Sequence, residues 1–242
     1  MNAVLTWLTD GAHWQGYDGI LQRTWEHVWY SAIALAIAAA LAIPLGLWVG
    51  HTGRARFLAV NLTGALRAVP SLGLLFASIM VLGSRLDGEL ATLVPTELVL
   101  VVLAVPPILA GAYAGVEQVD AAARDAARGM GMRGSEVLFK VELPCALPLI
   151  SSGLRSAALQ VVATATLAAA VGLGGLGRFL LDGLAVRDYA QMAGGAILVA
   201  ALALLIDLVA STLQRVVVSP GLTGKTDRRD NALRRLKTTA AS

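Results

Sequence analysis

Between Ser31 and Gly50 the chain reads SAIALAIAAALAIPLGLWVG, with no Asp, Glu, Lys, Arg or His in the run. Lipid offers backbone polar groups no hydrogen-bond partner, so a helix of about 20 mostly apolar residues is what such a run can form in a bilayer. Composition extends the argument to the whole chain. Of 242 residues, 57% are hydrophobic and 14% charged, against about a quarter charged in soluble domains. Too few polar side chains remain to cover a water-facing surface. Counting spans gives Val28–Val49, Phe57–Gly83 (interrupted by Arg67 and Pro70), Leu98–Ala114 (with Pro106-Pro107), Leu147–Val171 (with Arg155) and Ala190–Val218 (with Asp207). The expected fold is an all-α polytopic membrane bundle of five transmembrane helices, its termini on opposite sides.

The placement of basic residues orients that bundle. Of the 19 Lys and Arg residues, Arg23, Arg85, Arg178 and Arg187 fall in the N-terminal segment and the connections Ser84–Glu97 and Gly172–Tyr189. Arg67 and Arg155 lie in spans, and the rest fall in His51–Arg56, Gln118–Pro144 and the tail from Arg215. Positive charge is retained on the cytoplasmic side, so the N-terminus is expected outside and the C-terminus inside the cell membrane of a bacterium. The start lacks the basic and apolar regions of a cleavable signal. Trp and Tyr in residues 1–27 suit the outer membrane–water boundary, residues 28–219 form the transmembrane domain, and 220–242 read as a basic cytoplasmic tail. The single cysteine excludes an internal disulfide framework, and three scattered histidines argue against a metal site. The basic balance belongs to loops against lipid, so no nucleic acid is expected.

The inward connection Val119–Pro144, VDAAARDAARGMGMRGSEVLFKVELP, is the most specific stretch. Its Ala-rich start favours a helix to Gly129, the glycines through Gly134 permit a sharp bend, and a second short helix is expected at Ser135–Val141. Small side chains and the charges of Arg124, Asp125 and Arg128 suit contact with a soluble partner, although an ordinary surface helix has the same composition. The stretch resembles the cytoplasmic coupling motif of permease subunits of bacterial ATP-binding cassette importers: Glu-Ala-Ala, three residues, Gly, nine residues, then Ile-x-Leu-Pro. Here Asp125-Ala126-Ala127, Gly131 and Val141-Glu142-Leu143-Pro144 fall at that spacing, with Asp for Glu and Val for Ile.

Softer runs resemble the osmoprotectant group of that family, the permeases for glycine betaine, carnitine, choline and proline betaine. They are Arg67–Leu72, Gly129–Met132, Phe139–Pro144, Ala163–Leu167 and Gly172–Gly177. The resemblance implies a binding-protein-dependent permease fold with Asp125, Ala126, Ala127, Gly129, Gly131 and Pro144 at the coupling contact. It also implies two ATPase subunits, a second permease (identical or paralogous) and an extracytoplasmic binding protein. The chain has no G-x-x-x-x-G-K-[ST] loop, so it is expected to be no enzyme and to hold no cofactor, with ATP and Mg on the partner ATPase.

Arg67, Arg155 and Asp207 fall at about one depth, roughly ten residues from the inner ends of their spans. An isolated charge there is costly, so Asp207 is expected to pair with Arg155 or Arg67, either gating or simply holding helices together. Pro70 and Ser71 break the second span and Pro106-Pro107 the third, where freed carbonyls can face a polar path, although such prolines can equally be kinks that packing tolerates. Thr164 is a path candidate too, although a threonine hydroxyl readily bonds its own helix. Gly172–Gly177 fits G-x-G-x-x-G but lacks the strand and acid of a dinucleotide site, leaving a glycine turn beside an outer gate. Rival readings are a permease for methionine or another small solute and an ion-driven secondary transporter. The latter favours repeats and carboxylates in spans, of which only Asp207 stands out. An intramembrane serine protease lacks a histidine clearly inside a span.

Overall fold

The computed structural model describes residues 2–218, which are mostly helical with no strand among them; the tail expected at 220–242 lies outside the described residues. Four continuous helices are long and apolar enough to cross a membrane. They are α2 (Ile20–Thr52), α5 (Leu90–Glu117), α8 (Leu143–Ala165, extended at either end by wider and tighter turns) and α10 (Tyr189–Val217). Around them lie α1 (Asn2–Thr9), α3 (Arg56–Ala68), α4 (Ser71–Leu82), α6 (Ala121–Gly129), α7 (Gly134–Val137) and α9 (Gly177–Val186). The second expected span, Phe57–Gly83, is instead the pair α3–α4, which bends by 95°. Pro70 has no N–H to give the helix and forces Val69 into an extended conformation (φ −72°, ψ 128°), so the helix ends there and restarts at Ser71.

Small residues set the core. Ala34, Ala38 and Ala42 of α2, Ala104 of α5 and Ala157 of α8 are fully buried and share one cluster with Leu100, Ile108 and Val161. A Cβ built on Gly46 would lie 2.5 Å from the Ala112 Cβ, and one on Gly153 would lie 2.6 Å from the Pro107 carbonyl oxygen. Helices that gain nothing from apolar burial in lipid gain instead from this close approach. Gly153→Ala is therefore expected to force α5 and α8 apart. The cost is about 1–3 kcal/mol of overpacking, seen as a lower melting temperature of the purified protein. Gly64→Ala, with open space around it, should show no such loss.

Pro106 and Pro107 do not break the third span as expected. Both are buried inside an unbroken α5. Pro107 cannot donate to the Leu103 carbonyl, and the Gln160 side chain of α8 donates to it instead (3.1 Å). A proline kink is thus absorbed by a neighbouring helix, as membrane bundles allow. The second short helix expected at Ser135–Val141 is not separate either: α7 runs through a π-turn at Leu138–Glu142 straight into α8.

The N-terminal segment is partly folded into the bundle. Trp7 of α1 is buried with Ile20, Val162, Leu176, Phe179 and Leu202. It lies so close to α10 that a Cβ on Gly194 would meet its ring at 2.3 Å. Trp14, Tyr17, Trp25 and Trp29 remain exposed, as rings of a membrane boundary do.

Candidate functional site

The Val119–Pro144 segment forms a projecting helix on a tied root. Asp120 caps α6, its carboxylate accepting from the Ala122 N–H at 3.0 Å. Gly131 follows at φ +86°, a left-handed angle that admits glycine most readily, and turns the chain back toward α7. Asp125 stands clear of the bundle with 75% of its side chain exposed, its nearest opposite charge Arg128 at 3.7 Å. Ala126 and Gly129 share its exposed side, whereas Ala127 is buried. Pro144 is the second residue of α8, directly after the π-turn that joins it to α7.

Beneath α6 lies a carboxylate that sequence reasoning passed over. Glu142 is 1% exposed, and its Oε2 accepts from the His51 Nδ1 at 2.6 Å. Oε1 lies 2.8 Å from Nε of Arg124 as an ion-pair contact without hydrogen-bond alignment. The Arg124 fork also donates through Nη2 to the Val116 carbonyl, in the last turn of α5. The signal was available only as an acid between two apolar residues near a helix start, which is a common pattern.

At the opposite end of the bundle the glycine run is a carboxylate cradle closed by the chain itself. Gly172 and Gly175 take φ of +87° and +90°, and the Gly175 N–H donates to Oε2 of Glu26 at 2.8 Å. A Cβ on Gly174 would meet the Glu26 carboxylate and the Arg23 guanidinium, so a side chain there would displace both from the cradle. Arg23 donates to the same Oε2 at 2.9 Å. His27, fully buried, donates from Nε2 to the Val162 carbonyl at 2.9 Å. The loop after α8 is thereby fastened to the start of α2.

Between these ends, Ser71, Leu75, Thr96, Val99, Leu100, Leu103, Thr164, Leu167 and Ala168 line a narrow cleft of about 10 Å³ between α4, α5 and α8. Pro70 thus places Ser71 at the cleft. The Thr164 hydroxyl borders it while donating to the Gln160 carbonyl at 2.8 Å. Of the three span charges, Arg155 and Asp207 meet in a bidentate pair, Nε to Oδ1 at 2.5 Å and Nη2 to Oδ2 at 2.6 Å, joining α8 to α10. Arg67 falls near the end of α3, and its side chain lies outside the described residues. Asp207 is not the only acid inside a long helix. Glu97, read as a loop residue, lies in the second turn of α5 with both carboxylate oxygens buried and unpartnered.

The sequence pattern of the family described as the binding-protein-dependent transport system inner membrane component matches residues 42–219. The chain belongs to that family. The carnitine transport permease protein OpuCB of Listeria monocytogenes is 33% identical over 214 residues, 88% of this chain and 93% of that protein. The choline transport system permease protein OpuBB of Bacillus subtilis is 32% identical over 84% of this chain and 90% of its own. The osmoprotectant import permease protein OsmW of Salmonella typhimurium is 30% identical over 82% and 92%. Among solved structures, the inward-facing MetNI methionine ABC transporter superposes with a TM-score of 0.70, covering 83% of this chain and 96% of its own at 22% identity. That likeness confirms the permease fold. Relatives of this permease that carry names are transport subunits, and the segment with the Asp125 spacing falls within the matched region.

Proposed function

We propose that this permease imports a small quaternary-ammonium osmoprotectant such as glycine betaine, choline, carnitine or proline betaine, driven by ATP hydrolysed on separate subunits. One observation carries the coupling: α6 holds the motif acid Asp125 out in solvent while its root is tied to the bundle through Glu142. Relatives named for carnitine, choline and osmoprotectants, each matched over most of its length, support the solute class. Two permeases, identical or paralogous, stand on two ATPases, with α6 of each seated on an ATPase surface and ATP and Mg bound there. An extracytoplasmic binding protein delivers solute to the end bearing the Gly172–Gly177 loop, since the basic connections place α6 inside. With aromatics at 5% of the chain, the aromatic cage for a quaternary ammonium belongs to the binding protein. The polar lining of the inner path falls to Ser71, Thr96 and Thr164.

The test is uptake into proteoliposomes containing the permease, its ATPase and its binding protein, with labelled glycine betaine, choline, carnitine and methionine compared. Uptake of the quaternary ammonium solutes should require internal ATP and persist when ionophores collapse the ion gradients. Preference for methionine, or loss of uptake with the gradients, would refute the solute class or the energy source respectively.

A further inference from the structure

A helix that receives a push transmits it only if its joints are stiffer than its load. Among the described residues, α6 is flanked by two non-helical joints, Gln118–Asp120 before it and the left-handed Gly131 after it. It contributes a single buried residue of its own, Ala127. Packing alone cannot hold so short a helix to the bundle, because one alanine buries little apolar surface. What holds it is polar. Arg124, at its centre, reaches both Glu142 and the Val116 carbonyl. Glu142 in turn takes the hydrogen bond of His51, from the last turn of α2. The acid therefore gathers α6, α2, the end of α5 and the root of α8 at one point. The π-turn at Leu138–Glu142 adds one residue to the helix where this acid faces inward, a local widening that usually marks a specific duty. A carboxylate 1% exposed is tolerable only when paired, so losing any arm leaves the others short of a partner.

We infer that Glu142 is the positioning residue of coupling: it clamps α6 to the inner end of α2, so that force on the Asp125 face reaches the transmembrane helices. The inference rests on the reading of α6 as the ATPase contact. It assigns to Glu142 no contact with nucleotide or solute. The tight α2–α5 packing at Gly46 carries the movement onward into the core.

The test uses the complete complex in proteoliposomes, comparing wild type with Glu142→Gln, which keeps shape and removes charge. His51→Leu is the second variant, severing the α2 arm while leaving Arg124 and Glu142 paired. Solute uptake, ATP hydrolysis, co-elution with the ATPase and hydrogen exchange over residues 121–129 are all measured. Both variants should co-elute with the ATPase and hydrolyse ATP within about twofold of wild type, while solute moved per ATP falls roughly tenfold or more, the scale of one lost charged hydrogen bond. Exchange over 121–129 should rise. Unchanged solute per ATP in both variants overturns the clamp, as does a parallel fall of uptake, hydrolysis and melting temperature, which marks mere stability. If Glu142→Gln fails to accumulate, His51→Leu decides alone by the same criteria. Should wild-type permease bind no ATPase, the reading of α6 falls. The clamp itself is then judged by the exchange of 121–129, where an unchanged rate in the variants rejects it.

Discussion

Asp125→Arg should cut solute uptake by at least roughly tenfold while the permease still inserts and melts at its wild-type temperature. Within the chain this acid does almost nothing. Its side chain is 75% exposed, and its one opposite charge, Arg128, sits 3.7 Å away in the next turn of an exposed helix. Pairs of that kind contribute little to stability, and a surface substitution usually changes it by no more than about 0.5 kcal/mol. A large effect on uptake must then arise outside the chain. On the proposed contact, Asp125 faces a basic group of the ATPase, so Arg in its place sets like charges together, and such reversals weaken a docked interface strongly. ATP hydrolysis should become independent of solute or fall with loss of the complex, whereas Asp125→Glu should keep most uptake. Uptake unchanged in the Arg variant would remove α6 from the mechanical contact.

Asp125 was readable because its spacing to Gly131 and Pro144 is carried in consecutive residues, and local sequence specifies a local bend. Long apolar runs such as Ser31–Gly50 were readable for the same reason, since the bilayer demands a length that can be counted. Glu142 was not readable. Its meaning depends on His51, ninety-one positions away, and on an arginine across a turn. Pro107 misled for a related reason. Proline chemistry predicts a freed carbonyl correctly, yet whether a helix breaks depends on a neighbour that can satisfy it, here Gln160. At Pro70 no side chain among the described residues donates in that way, and the helix does end. Glu97 was misplaced because Pro95 and a nearby run of polar residues resemble a loop, whereas α5 starts seven residues earlier at Leu90. The cradle around Glu26 shows the converse. A G-x-G-x-x-G run was set aside as a nucleotide site for want of a strand, and no strand lies among the described residues. Its backbone N–H does bind an acid, but one supplied by α2.

Asp207→Leu is expected to lower the melting temperature of the purified permease by several degrees and to reduce its amount in the membrane, and Arg155→Leu to do the same. The double replacement should recover most of both losses. The asymmetry follows from what each change leaves behind. In the wild type two hydrogen bonds of 2.5 and 2.6 Å satisfy both groups, and about a third of each side chain stays uncovered, 38% for Arg155 and 30% for Asp207. Removing one partner leaves a lone charge inside a membrane span, the costliest of the available states, while removing both leaves only apolar side chains there. Uptake separates a strut from a gate. If the pair only fastens α8 to α10, the Leu/Leu protein transports at a rate within about twofold of wild type once stability is regained. If the pair must open during each cycle, the double variant stays folded yet transports poorly, because the two helices no longer prefer one arrangement over the other. A double variant as unstable as either single one would show instead that the stability of α10 comes from this ion pair as a whole, beyond mere avoidance of an orphaned charge.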